Sequence, residues 1–323
     1  MSTSEIPSVD FDSAQRDYWR QVRQSEGFDI ENVSIPSNMC GMITGLSAFD
    51  CVRYSRYPYA VLVNLYAKVG LHRYNMLKGT NFQLDSLVKF NMLQNFVSSY
   101  YMTLLAHEPA PDPLAKTFQV RVDEQKANIL DFECSVARIK DEYEVITKKP
   151  FVHHFHGGAL ADGIFKGELP DWPSDDALND GKRFYLVKES EWQANDWISM
   201  YLELVISAHD RGARKRDVFS QLEILEVAIE TGVEDVEPPN ERLKAKSVIV
   251  YIKFKGMANV ITPMMIFESG EHVERKAVVR RVLDVRSGDM TLSGKFCGGQ
   301  STKKKIQSSK KRPRSQTSAT HGV

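Results

Sequence analysis

Cysteine is scarce in this chain. Four occur in 323 residues, at Cys40, Cys51, Cys134 and Cys297, and no C-x-x-C pair is present. That usage excludes a disulfide scaffold and a ribbon-type zinc site, and it fits reduced intracellular thiols. Long apolar runs are absent too: none approaches the ~18 residues a membrane helix needs. Met1–Asp12 is polar and acidic and lacks the apolar core of a signal peptide. Together these absences predict a soluble protein of the cytosol or nucleus, with no membrane partner. The glycine fingerprints of phosphate and dinucleotide binding are missing, as is the serine nucleophile elbow. Gly288 and Gly294 are separated by an apolar strand and make no phosphate cradle. The expectation is a protein that is not an enzyme and carries neither cofactor nor metal.

What is present is an uneven distribution of charge. Lys+Arg and Asp+Glu both number 42, for a formal net charge of zero. Seven of the cations lie within residues 303–314, as Lys303, Lys304, Lys305, Lys310, Lys311, Arg312 and Arg314. The remaining 35 basic residues face 42 acidic ones, so the body is near −7. An acidic body is a poor nonspecific ligand for nucleic acid, because phosphate neutralisation drives such binding. Direct nucleic-acid contact is therefore expected only through the tail. The tail cannot build a core and reads as disordered. Lys311-Arg312-Pro313-Arg314 matches the extended basic pattern that a nuclear import receptor reads, and Pro313 favours the extended backbone. Ser308, Ser309 and Ser315 flank the clusters, where phosphorylation would set negative charge among the lysines. A second basic patch, Arg211, Arg214, Lys215 and Arg216, falls in what reads as a hairpin loop between two strands.

The hydrophobic pattern divides the rest. Asp12 and Gln15 form a capping-box pair opening a short helix, with Phe11, Gln15, Tyr18 and Val22 on one face and Gly27 at its end. A second helix is predicted over about Tyr59–Leu77, stopped by Gly79, with Gly70 as an interior irregularity. The period then changes to two. Strands are predicted from Phe82 to Met92, Phe96 to Ala106, around Phe118–Val122 and around Leu130–Val136. Gly167–Gly181 is rich in Asp and Glu and reads as an acidic surface loop or interdomain linker. Strands resume at Ile198–His209, Gln221–Glu230, Ser247–Lys255, Lys276–Leu283 and Met290–Lys295. The segments Tyr101–Glu108 and Leu204–Asp210 echo each other, which allows a duplicated hairpin unit; coincidence explains the echo almost as well.

This order gives an α+β fold: an N-terminal arm over 1–40, a first unit over 41–166, an acidic linker over 167–182, a second β-rich unit over 183–296, and the tail over 297–323. A helix followed by antiparallel strands resembles the cystatin/monellin fold, in which a sheet wraps one helix. Gln94-Asn95-Phe96-Val97-Ser98, then Tyr100–Leu104, then Lys116–Val122 follow the order of a cystatin hairpin and its two strands. Two departures are plain. Ser98 or Ser99 stands where the hairpin glycine belongs, and Trp172-Pro173 is reversed and displaced. The resemblance implies cysteine-protease inhibition as the alternative function, and the departures weaken it.

A longer resemblance rests on Asp10-Phe11-Asp12, Tyr18-Trp19-Arg20-Gln21-Val22, Ser25–Asp29 and Tyr74–Phe82. With these motifs the chain resembles a crucifer plant family of the male-sterility-five type, which carries a domain of unknown function grouped with cystatin/monellin proteins. The resemblance spans residues 10–293. It implies a role in early male meiosis on chromosomes, through contacts with chromosomal or meiotic proteins, in support of pollen fertility.

Two further groups of polar residues stand out. His153, His154 and His156 supply at most two ligands on one strand face, short of a zinc set, and fit polar residues near a turn. Asp196, Glu203, Asp210 and Asp217 recur at intervals of seven, which on a strand alternates faces and leaves no carboxylate pair.

Overall fold

A computed structural model describes residues 11–36, 45–93, 95, 97–111, 113–140, 142, 161–211, 219, 222–233, 236–256, 261–262, 265–266 and 274–297. Helix α1 (Phe11–Gln24) is followed by strand β1 (Ser47–Asp50), helix α2 (Ala60–Lys78) and strands β2 (Gln83–Met92), β3 (Ser99–His107), β4 (Lys116–Glu124) and β5 (Leu130–Ile139). A short helix α3 (Asp175–Leu178) leads to β6 (Phe184–Leu186), helices α4 (Glu189–Ala194) and α5 (Asp196–His209), and strands β7 (Glu223–Glu230) and β8 (Val248–Lys255). A two-residue hairpin, β9 (Ile261–Thr262) with β10 (Met265–Ile266), precedes β11 (Arg275–Leu283) and β12 (Met290–Cys297).

Ten strands form one antiparallel sheet in the order β1-β2-β3-β4-β5-β12-β11-β8-β7-β6. The chain thus runs twice through strand, helical segment and four-strand meander. The two runs meet where β5 pairs with β12, from Met290 opposite Cys134 to Gly294 opposite Leu130. The fold class is α+β, as the change of period predicts.

Alternation sorts the side chains to two faces. Phe118, Val120 and Val122 of β4, Leu130, Phe132 and Cys134 of β5, and Val248, Val250, Ile252 and Phe254 of β8 join one core with α2 and α5. Gly70 is the reason α2 can lie so close. A Cβ there would stand 2.3 Å from Val120 Cγ1 and 2.4 Å from its Cγ2, so the sequence irregularity is a packing requirement. On β12, Gly294 has the same duty toward α5: a Cβ would meet Val205 Cγ2 and Leu130 Cδ2, both at 2.8 Å.

The opposite face carries two smaller clusters. Tyr18, Trp19 and Val22 of α1 pack with Phe28, Ile30, Leu46, Leu93 and Tyr101, so this helix finds its partner within the chain. The Tyr18 hydroxyl accepts from the Leu46 N–H at 2.8 Å. Asn91 of β2 donates to the carbonyls of Gly27 and Phe28 at 2.7 and 2.9 Å. Leu178 with Phe184, Ala228, Ile249, Tyr251 and Val278 makes the other, and Leu169 and Trp172 pack against it.

Three expectations need correction. Residues 198–209 are helix, not strand: Ile198, Tyr201, Leu202, Leu204, Val205, Ile206 and Ala208 are all buried. A helix buried on nearly every side shows no apolar stripe, so its text resembles a buried strand. The echo between Tyr101–Glu108 and Leu204–Asp210 therefore pairs a strand end with a helix end, and that form of repeat does not exist. The second strand begins at Ser99 rather than Phe96. The acidic stretch after Gly167 is fastened to the sheet. Arg280 donates to the Gly167 carbonyl at 2.8 Å, and Lys295 pairs with Asp171 at 3.0 Å.

Candidate functional site

The cations picked from the sequence separate. Lys303, Lys304, Lys305, Lys310, Lys311, Arg312 and Arg314 lie outside the described residues, as do Arg214, Lys215 and Arg216. His153, His154 and His156, with Cys40, lie outside them too. Arg211 does not sit on a solvated hairpin. It follows α5, is 13% exposed, and its Nη2 pairs at 2.9 Å with Oε2 of Glu124, itself only 2% exposed. The guanidinium also stands 5.6 Å from the centre of the Tyr59 ring. Arg211 is thus removed from the proposed basic patch, because a buried carboxylate claims it.

Glu124 organises a polar knot between the two runs of the fold. Tyr66 of α2 donates to its Oε1 at 2.9 Å. The backbone N–H of Ser98, in the β2–β3 connection, donates to its Oε2 at 3.0 Å. Burial raises the Glu124 pKa, and Arg211 with these hydrogen bonds pulls it back. Burial, then the Glu124 charge, pushes Tyr66 well above the usual phenol range. Ser98 also closes its turn, donating to the Leu93 carbonyl at 2.6 Å. Ser98, one of the two serines that could stand where a cystatin glycine belongs, is therefore buried and bound, and Ser99 is buried too, so neither is presented at a hairpin tip.

A second buried polar centre lies between α2, α5 and β11. Arg281 is 0% exposed. Its Nη1 donates to Tyr201 Oη at 2.8 Å and to His72 Nε2 at 3.0 Å, and its Nη2 donates to the Ala245 carbonyl at 2.7 Å. The Trp197 ring lies 4.7 Å from the guanidinium carbon. Arginine has no acceptor, so His72 Nε2 must accept, which makes the imidazole neutral and protonated on Nδ1. Burial and then Arg281 hold the His72 pKa well below its ordinary value.

The carboxylates at intervals of seven also change meaning. Asp196 and Glu203 both belong to α5, where seven residues are nearly two turns and return to the same face. They are still separated by a rise of about 10 Å, too far to share a proton. The described thiols are chemically quiet: burial pushes Cys51 and Cys134 up to about 12.

A shaped open surface lies at the β1 edge. A cleft of about 470 Å³ there is lined by Phe49, Val52, Tyr54, Arg56, Tyr57 and Lys89, among others. Phe49 stacks on Phe90 with ring centres 4.7 Å apart, and Tyr57 meets the same ring edge-on at 5.5 Å. After β1 the chain turns on Asp50, whose Oδ1 accepts from the N–H groups of Val52 and Arg53 at 3.0 and 2.8 Å. That turn leaves Val52 75% and Tyr54 55% exposed. Hydrophobic period does not mark this loop. Its signal was the arginine–tyrosine alternation of Arg53-Tyr54-Ser55-Arg56-Tyr57-Pro58-Tyr59 ahead of a helix.

Comparison with known proteins fits this fold. The family model for protein MS5 matches residues 169–292. Two UPF0725 proteins of Arabidopsis thaliana are each 54% identical, one covering 91% of both chains and the other 94% of both. The chain belongs to the MS5 family. The crystal structure of MS5 from Brassica napus superposes with a TM-score of 0.54 at 30% identity, covering 75% of this chain and 98% of that one. The names of these relatives carry no enzymatic activity.

Proposed function

We propose that this MS5-family member is a non-enzymatic nuclear protein that acts through protein contacts in early male meiosis and so supports pollen fertility. The observation that carries the nuclear part is the run of seven cations in residues 303–314 on an otherwise acidic chain. An import receptor reads such a run in extended form. The reproductive part follows from family membership. The protein-contact part is supported by the β1 edge, where a cleft is lined by apolar side chains together with Glu31, Asp50, Arg56 and Lys89, and no catalytic constellation stands beside it among the described residues. Buried ionisable groups are present, but Glu124 and Arg281 are enclosed by the fold and hold it together.

The order strand, helical segment, four-strand meander, repeated once, also supports a duplicated cystatin/monellin-like architecture. This topology favours a second reading, cysteine-protease inhibition. The buried Ser98 weighs against it, because its side chain and backbone both point into the fold. Stoichiometric inhibition of a papain-like enzyme by the purified chain would establish that reading instead.

The leading reading is tested by following tagged full-length protein in male meiocytes. Nuclear signal during meiotic prophase, with reduced pollen fertility in plants lacking the gene, is expected. Cytosolic full-length protein at that stage would overturn it.

A further inference from the structure

Two arginines brace the 3-10 turn Pro239–Lys244, which lies against β6 and β7 at the end of the sheet opposite β1. Ala245, which closes the turn, connects them. Its N–H donates to the Arg242 carbonyl at 3.2 Å, and its own carbonyl accepts from Arg281 Nη2 at 2.7 Å. Both side chains are shut away from solvent, Arg242 at 1% exposure and Arg281 at 0%. Neither has a carboxylate partner among the described residues.

Their surroundings differ. Arg281 has three neutral acceptors and an indole face. Arg242 has one acceptor, the Lys182 carbonyl, reached through Nη2. Its Nε and Nη1 are buried and meet no acceptor. The acids of this corner are committed elsewhere. Glu230 is held by Arg183 and Tyr251, Glu241 by Lys244, and Asp180 accepts from the Lys182 N–H. Glu237 is exposed. Lys182 is exposed as well and adds a second cation with no ion pair among the described residues. A buried charge is costly to keep out of water unless an opposite charge and hydrogen bonds compensate it. Water at Nε and Nη1 would answer the hydrogen bonds and leave the charge; an anion answers both. The several donors of a guanidinium suit an oxyanion, and charge assistance strengthens each bond.

We propose that Arg242 anchors a site for a free tetrahedral oxyanion, inorganic phosphate or sulfate, held by Nε and Nη1 at the Pro239–Lys244 turn. The depth of Arg242 favours a free ion over a phosphate carried on a larger molecule. The site is independent of the nuclear reading and of the β1 cleft.

The test is calorimetric titration of purified full-length protein with inorganic phosphate, sulfate and glycerol phosphate, in a buffer without other oxyanions, for the unaltered chain and for Arg242→Lys and Arg242→Met. Saturable one-to-one binding of phosphate and sulfate is expected, with glycerol phosphate weaker by about tenfold or more. Arg242→Lys keeps the charge but loses the planar donor set, and should weaken binding by about tenfold; Arg242→Met should abolish it. The seven cations of residues 303–314 are present in every form, so phosphate taken up there cancels in the comparison. A second readout needs no variant: in the proton–nitrogen NMR spectrum of the unaltered chain, a solvent-protected arginine Nε–H should shift until saturation. Absence of saturable binding, equal affinity in Arg242→Lys, equal affinity for glycerol phosphate, or binding that leaves every protected Nε–H unmoved would each overturn the proposal.

Discussion

The two halves of this molecule run through the same elements and solve the same problem differently. Each must bury a charge on the helix side of the sheet. In the first half Glu124 sits at the apolar phase of β4, after Phe118, Val120 and Val122, and is neutralised by Arg211 from the second half. In the second half Arg281 sits at the apolar phase of β11, after Ala277 and Val279. Its hydrogen bonds go to a hydroxyl, a neutral imidazole and a carbonyl, and an indole face covers it. A paired charge depends on its partner. A charge satisfied by neutral acceptors and aromatic faces does not depend on any one of them, so the two sites should respond unequally to mutation.

The largest expected effect follows from that difference. Arg211→Met leaves Glu124 buried and unpaired and should cost about 3–5 kcal/mol in denaturant unfolding. Glu124 already has a raised folded-state pKa, so its titration favours the folded state at low pH, an advantage lost as pH rises through the folded pKa. Losing Arg211 raises that pKa further. The deficit should therefore be greatest near pH 8 and shrink as the solution is acidified. Glu124→Gln combined with Arg211→Met should recover part of the loss. A deficit below about 1 kcal/mol would remove the contrast between the halves.

The next pair compares the two glycines. Gly70→Ala and Gly294→Ala should each cost about 1–3 kcal/mol through overpacking, the first despite the helix propensity alanine adds. Gly181→Ala, where a Cβ meets nothing within 4 Å, serves as the control and should be near neutral. Thermal unfolding of the three variants reads the difference. Equal stability of all three would mean that the helices can back away from the sheet.

Arg281→Met should cost about 1–3 kcal/mol, less than the Arg211 variant, because it orphans neutral acceptors on Tyr201, His72 and Ala245 but leaves no buried charge unpaired. The more specific readout is His72. Arg281 is the second cause of its depression, after burial, so its pKa should rise in the variant while staying below the ordinary imidazole value. Proton NMR titration measures this. An unchanged His72 would show that burial alone sets its state. Smallest of all, Arg53→Glu/Arg56→Glu should leave stability within about 0.5 kcal/mol, since these residues belong to the open edge rather than the core.

Much of the fold was legible because most strands here bury one face. Phe118-Gln119-Val120-Arg121-Val122 and Val248–Phe254 alternate, and their predicted spans match β4 and β8 closely. The helix at Ala60–Lys78 announced itself by spacing and by Gly79, which takes φ 70° at its C-cap. Helix α5 was not legible, because Ile198–Ala208 is buried over most of its circumference and its polar stripe, Asp196, Ser199 and Glu203, is too narrow to stand out from a buried strand. Arg211 looked like one cation in a basic run; only the fold brings Glu124, 87 positions earlier, to its side. A signal for both buried charges was nonetheless present: Glu124 and Arg281 each occupy an apolar position of an alternating strand. The β1 cleft was illegible for another reason. Strand spacing says nothing about which strand ends a sheet.

With Arg211 assigned to the interior, the proposed nuclear address rests chiefly on Lys303–Arg314. The most direct measurement is the nuclear-to-cytosolic ratio of tagged protein in male meiocytes for three forms: full length, a form lacking 303–314, and one with Arg214, Lys215 and Arg216 replaced by alanine. Nuclear signal is expected for the first and third and cytosolic signal for the second. Nuclear retention without 303–314 would contradict the account.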